Sequence, residues 1–304
     1  MLTTPSAGAA APSSHLPQLA LIFVTVIWGG TFFIVHGAVQ QAGPLAFVGT
    51  RFAIAAVIAA VLGRRYLGHI TRLELLAGSL IGLGIFAGYA LQTVGLQTIS
   101  GSKSAFITAF YVPMVPMLQW IFQRKQPSAG AWIGVALSFG GLALLAGPQG
   151  LAGGFGHGEL LTTLGALAIA AEIILIGHFA NRVNLARVTI IQLAVASLAA
   201  FVALPLAGEA LPSWSSTFFA SALALGAASA LIQYVMNWAQ RQVSATRATL
   251  IYAGEPVWAG LIGAVLGERI TALAVAGAGL IVLANVVGEW RPRRWARKKI
   301  NEWK

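Results

Sequence analysis

The chain has no cysteine, and only 9% of its 304 residues are charged. The first absence excludes disulfides and thiolate metal sites. The second excludes an ordinary soluble domain, where roughly 25% of residues carry charge. Histidine is sparse too: the five stand at 15, 36, 69, 157 and 178, without the short spacing of a metal-binding helix. No metal and no cofactor are expected. What is abundant is apolar surface, 58% of residues, with a mean hydropathy of +0.80. One membrane anchor does not account for that average. It calls for repeated apolar segments of about 17 to 25 residues, the length that crosses a hydrocarbon core about 30 Å thick. The runs are continuous and do not alternate in polarity, so the spans are helices and not barrel strands.

Breaks at charges, Gly/Pro clusters and polar turns divide the chain into ten spans: 18–37, 44–62, 73–95, 102–122, 129–147, 158–180, 187–206, 216–239, 246–266 and 271–288. Residues 1–17, rich in Ala, Ser and Pro without Lys or Arg, read as a disordered leader and not as a cleaved signal. Residues 148–157 link two halves, 18–147 and 158–288, and residues 289–304 form a basic cytoplasmic tail. With the N-terminus inside, sixteen of the nineteen basic residues fall in inside segments. Only Lys103 and Arg269 fall outside, and Arg51 lies within span 2. That asymmetry is the positive-inside pattern and places both termini in the cytoplasm, as in an inner-membrane protein. It also accounts for the net charge of +11, which needs no nucleic-acid partner. The tail interleaves Trp290, Trp295 and Trp303 with basic residues, which suits an inner-leaflet surface.

Compared with itself, the chain repeats. An offset of 143 residues sets Pro113 on Pro256 and Gly134 on Gly277, and an offset of 141 sets Arg51 on Gln192. Five spans per half is an odd number, so the second half enters the membrane from the opposite side. The expected architecture is all-α, with ten transmembrane helices as two inverted-topology repeats of five, a plan used by many secondary transporters.

Three stretches carry a family likeness: "VIWGGTFFIVHGA" in span 1, "VGTRFAIAAV" in span 2 and "LIYAGEPVWAGLIGAVLGERIT" across spans 9 and 10. With them the chain resembles the EamA-type carriers of the drug/metabolite transporter superfamily over residues 18–288. The first half departs from the pattern, having Arg124, Lys125 and Gln126 where the second has Gly267, Glu268 and Arg269. The resemblance implies a secondary transporter, usually an exporter, of small metabolites, amino acids and aromatic ones among them. It implies a central cavity lined by polar and aromatic residues; here the candidates are Trp28, Tyr89, Gln92, Tyr111, Gln233, Tyr234, Asn237 and Tyr252. Rings of this kind give apolar walls with one polar handle, suited to an amphiphilic solute.

The ionisable residues deep in the spans are Arg51, Glu172 and Glu255, with His36 and His178 nearer helix ends. Each carries a cost of about 2.5–3.5 kcal/mol or more at mid-membrane, so each should face protein or a wet cavity. Glu255 has two readings: an N-terminal residue of a helix restarted at Pro256, or a carboxylate that meets a substrate ammonium or a proton. The prolines at 113 and 256 are common to both halves and fit a hinge or packing role. The carboxylate is not shared, because Val112 precedes Pro113. Glu172 reads as a hydrogen-bonded carboxylic acid or as a substrate or proton site. Arg51 reads as structural, pairing with a membrane carboxylate; it does not deprotonate and so carries no proton. The run "GPQGLAGGFGHGEL" lacks the Gly-Lys-Ser/Thr of a phosphate loop. No nucleophile–base set marks an enzyme, and the loops are too short for an ATPase domain. A small-molecule substrate and the bilayer are the expected partners. Efflux of lipophilic cations is the rival within transport, and a non-transport scaffold the rival outside it.

Overall fold

The computed structural model describes residues 15–39, 43–99, 101–151, 156–209, 215–265, 267 and 271–288. Residues 1–14, 152–155 and 289–304, which hold most of the expected leader, part of the linker and the tail, lie outside the described residues. Those described contain helices and no strands. In chain order they are α1 (Leu16–Val39), α2 (Pro44–Leu62), α3 (Arg72–Gly95), α4 (Gly101–Thr108), α5 (Tyr111–Gln123) and α6 (Ala129–Leu151). There follow α7 (His157–Phe179), α8 (Leu185–Leu206), α9 (Ser216–Ala239), α10 (Ala245–Tyr252), α11 (Glu255–Val265) and α12 (Ala272–Gly288).

Helix starts follow from capping chemistry. The side chains of Thr71, Asn184, Ser215 and Ser244 each accept a backbone N–H of the first turn that follows, satisfying groups a helix leaves unpaired. Gly147, at φ 62° and ψ −173°, kinks α6, and the left-handed Arg124 stops α5. Seven segments are long and apolar enough to cross a membrane, and Leu16–Thr31, Ala129–Leu145 and Ala272–Gly288 are shorter apolar helices. The outer surface is apolar as well, with Leu62, Phe122, Leu206 and Val265 at least three-quarters exposed. In water such a surface would drive aggregation; in lipid it is the expected finish.

Two of the seven segments are broken. The breaks fall at Ala109–Phe110 and at Ala253–Gly254, where Phe110 N–H bonds Ile107 O and Gly254 N–H bonds Ile251 O, one residue tighter than an α-turn. Pro113 is the third residue of α5 and Pro256 the second of α11. A proline there forfeits no intrahelical hydrogen bond and presets φ for the new helix. The prolines therefore start helices rather than bend them.

The main helix pairs recur when the halves are exchanged. α3 lies on α7 and α8, as α9 lies on α1 and α2; α5 lies on α7, as α11 lies on α1; α4 lies on α6, as α10 lies on α12. α2 meets its counterpart α8, and α6 meets α12. At the α6–α12 crossing a Cβ on Gly141 would come within 2.6 Å of Gly277 O, and one on Gly134 within 2.9 Å of Ala284 O. Shifting the second pair by 143 residues gives the first. On α3, Gly78 and Gly82 admit α8, and Gly84 and Gly88 admit α7, the close packing that small residues allow between membrane helices. Around α11, Gly260 and Gly267 face open space, whereas Gly263 is buried. The close approach to α11 comes from α1, where a Cβ on Gly29 would lie 2.7 Å from Ala259 N.

Basic residues gather at one end of the bundle. Arg187 donates to Tyr66 O at 2.6 Å and pairs with Glu74 at 3.3 Å; Arg241 donates to Ala180 O and Val183 O; Thr246 donates to Gln119. These contacts draw together the segments that carry Arg64, Arg65, Arg72, Arg182, Arg187, Arg241 and Arg247. At the other end Glu209 accepts the backbone N–H groups of Leu45 (3.0 Å) and Ala46 (2.8 Å), and Gly158 packs on Thr98 and Ile99.

Candidate functional site

Polar side chains meet at mid-depth, where neither end of the bundle satisfies them. Arg51, on α2 and 5% exposed, donates from Nε to Ser229 Oγ at 2.7 Å. Its guanidinium lies 4.9 Å from the centre of the Tyr89 ring and 5.5 Å from that of Phe52, and the two rings meet edge to face. Cation–π contacts of this kind hold a desolvated guanidinium without an anion. No ion pair joins Arg51 to Glu172 or Glu255 among the described residues, which corrects the expected pairing with a membrane carboxylate. The physical reason is that Ser229 takes Nε and two rings take the guanidinium plane, while Glu172 is held by Gln233.

On the other side of the site a line of amides leads to Glu172. Asn237 Nδ2 donates to Gln192 Oε1 at 3.1 Å, Gln192 Nε2 to Gln233 Oε1 at 2.8 Å, and Gln233 Nε2 to Glu172 Oε1 at 2.9 Å. Asn237 also donates to Thr189 Oγ1 at 3.2 Å. An ionised carboxylate only accepts, so Gln233 presents its NH2 to it, and each amide behind turns the same way. Three dipoles thus point at one carboxylate, and in a low-dielectric interior they reinforce one another.

The two arrangements occupy matched places. Tyr89 and Gln233 stand at the same position of two 24-residue helices, α3 and α9, and Arg51 matches Gln192 at the 141-residue offset. The first half fills its slot with a cation on a ring. The second fills the same slot with two amides that end on a carboxylate.

Glu255 is the first residue of α11, so the helix-start reading of the sequence holds for its backbone. Its side chain is partly buried and has no hydrogen-bond partner among the described residues. Tyr89 lies within electrostatic range of Arg51, Glu172 and Glu255 together, and Tyr111 within range of Glu255 and Tyr252. Trp28 of α1 meets Tyr252 edge to face at 5.2 Å, and the Tyr252 hydroxyl accepts from Gln240 at 3.4 Å. Gln92 donates to Thr108 at 2.8 Å, joining α3 to α4.

The structure therefore brings together Arg51, Tyr89, Glu172, Glu255, Trp28, Tyr111 and Tyr252, with Gln233 and Asn237 supporting Glu172. Tyr234 is not among them. It is 46% exposed, because one step along α9 from Gln233 turns a side chain to the outer face. Sequence reasoning passed over Gln192, Thr189 and Ser229 as partners. The 141-residue offset, which places Gln192 opposite Arg51, was the signal for the first.

Two alike sets of apolar helices around a buried charged centre define a multi-pass helical membrane protein. The chain belongs to the EamA-like transporter family, whose model matches it twice, over residues 16–147 and 156–287, and it is thus a membrane transporter. It is 31% identical over 275 residues to an uncharacterized transporter of Archaeoglobus fulgidus, covering 89% of this chain and 84% of that one. It is 29% identical over 282 residues to the uncharacterized inner membrane transporter YedA of Escherichia coli K12, covering 88% and 89%. A solved crystal structure shares its fold with a TM-score of 0.76 at 17% identity, covering 90% of this chain and 98% of that chain.

Proposed function

We propose that the chain is a ten-span carrier of two inverted five-span repeats. It exports a small amino-acid-like metabolite, aromatic or otherwise amphiphilic, by alternating access through the centre of the bundle. The ten apolar segments and the gathering of basic residues at one end support this topology, with the termini in the cytoplasm and the chain in the inner membrane. Transport is driven by a gradient or runs by exchange.

The observation that carries the substrate class is the pair of unlike charges near Tyr89: the Arg51 guanidinium on its ring, and Glu255, which has no hydrogen-bond partner among the described residues. A zwitterion presents a carboxylate and an ammonium, one for each. Trp28, Tyr111 and Tyr252 supply an apolar wall for the remainder of the solute. The second reading, efflux of lipophilic cations, draws on the two carboxylates deep in the spans, Glu172 and Glu255, against one guanidinium.

Proteoliposomes loaded with an amino-acid panel test the proposal. Amino acids should exchange and permanent organic cations should not. The opposite outcome favours cation efflux, and liposomes that move no solute favour a scaffold.

A further inference from the structure

At the basic end of the bundle, α5 and α7 bound a groove of about 610 Å³. Its deep part is apolar, lined by Leu118, Ala171, Ile174 and Leu175, and its polar part lies at the mouth, with Lys125, His178 and Arg182. Arg182 Nη1 donates to His178 Nε2 at 3.2 Å, which draws the two together beside the opening. Among the described residues no acidic side chain lines the groove. From Ala171 to Phe179 an α-helix rises about 12 Å, close to the apolar depth of one leaflet, about 15 Å.

We propose that this groove holds an anionic phospholipid of the leaflet facing the basic end. The phosphate sits at Lys125 and Arg182, and one acyl chain lies along α7 toward Ala171. Polarity runs along the groove as it does along a lipid, charged at one end and apolar for the rest. A small water-soluble anion would find its counter-charge at the mouth and nothing to bind further in. A zwitterionic lipid would fill the depth, but its own ammonium offsets its phosphate and leaves the two cations without a net counter-charge. Basic pockets between membrane helices at the level of the headgroups are suited to this class of ligand.

The test is native mass spectrometry of the full chain in detergent with equimolar phosphatidylglycerol and phosphatidylcholine. Phosphatidylglycerol should be retained in preference. The double variant Lys125→Gln with Arg182→Gln should lower that preference roughly twentyfold, each cation near an anionic headgroup contributing about fivefold. Both side chains are exposed, so the variant keeps its fold. Leu175→Trp, which fills the groove, should reduce retention of both lipids. An unchanged preference in the double variant overturns the proposal. So does displacement of the lipid by millimolar inorganic phosphate, which would mark a site for soluble anions.

Discussion

Gln233 of α9 donates a 2.9 Å hydrogen bond to Glu172 of α7, and that bond is the last of three that carry amide dipoles from Asn237 through Gln192 to a buried carboxylate. Replacing Gln233 by Leu leaves Glu172 without its donor and Gln192 without its acceptor. Stranding buried polar groups in this way costs about 1–3 kcal/mol. Thermal unfolding in detergent should show that loss. The double variant Gln233→Leu with Glu172→Leu should recover part of it, because removing both partners leaves no unpaired charge. A double variant no better than the single one would refute the bond as the source of the effect.

Glu255 differs from Glu172 in having no hydrogen bond to break. Glu255→Gln should therefore leave the unfolding temperature close to that of the parent, within about 0.5 kcal/mol of stability. Its effect should fall on transport. Exchange of an amino acid in proteoliposomes should drop at least about tenfold, the scale of one lost charge interaction of 1.4 kcal/mol, because the substrate ammonium loses its counter-charge. Unchanged exchange would remove Glu255 from the ammonium site.

Arg51 allows the zwitterion to be tested one charge at a time. Arg51→Gln removes the cation that stacks on Tyr89 and keeps a polar group near Ser229. A charge-assisted hydrogen bond contributes about 1.5–3 kcal/mol, so exchange of an amino acid such as phenylalanine should fall about tenfold or more. Exchange of phenethylamine, which has the ring and the ammonium but no carboxylate, should be unaffected. Equal losses for both solutes would assign Arg51 to the scaffold alone. Lys at this position should not restore the parent rate, because it lacks the planar stacking group.

Most of the helical plan was legible in the sequence because hydrocarbon demands long apolar runs, and the runs show. The starts at Pro44 and Ser216 fall where Gly/Pro and polar turns placed them. Glu255 and Glu172 stood out because a carboxylate in such a run is costly. What the sequence did not show was the third dimension. Tyr234 and Gln233 are neighbours in the chain, and only the rotation of α9 sends one outward and the other into the amide line. Arg51 was read as wanting a carboxylate, whereas its partners, Ser229 and Tyr89, are uncharged and lie on other helices. Glycine spacing marks narrow helices without saying which face is used: on α3, Gly78, Gly82, Gly84 and Gly88 all meet neighbouring helices, whereas on α11 Gly263 is buried and Gly260 faces open space.

Glu74 and Glu209 have one task at opposite ends of the bundle. Glu74, from the start of α3, accepts Asn184 N–H at the start of α8 and pairs with Arg187; Glu209, beyond the end of α8, accepts two N–H groups at the start of α2. Each half thus caps the second helix of the other. Both caps are engaged in the same structure: Glu74 ties α3 to the start of α8, and Glu209 ties the end of α8 to the start of α2. Glu209→Ala should cost about 0.5–2 kcal/mol, as the loss of a helix cap does. Gly43→Ala should resemble it, since the new methyl would run into the Glu209 carboxylate. Exchange per folded molecule should be unaltered in both variants. A Glu209→Ala protein of parental stability whose exchange rate had changed would instead make this contact part of a gate.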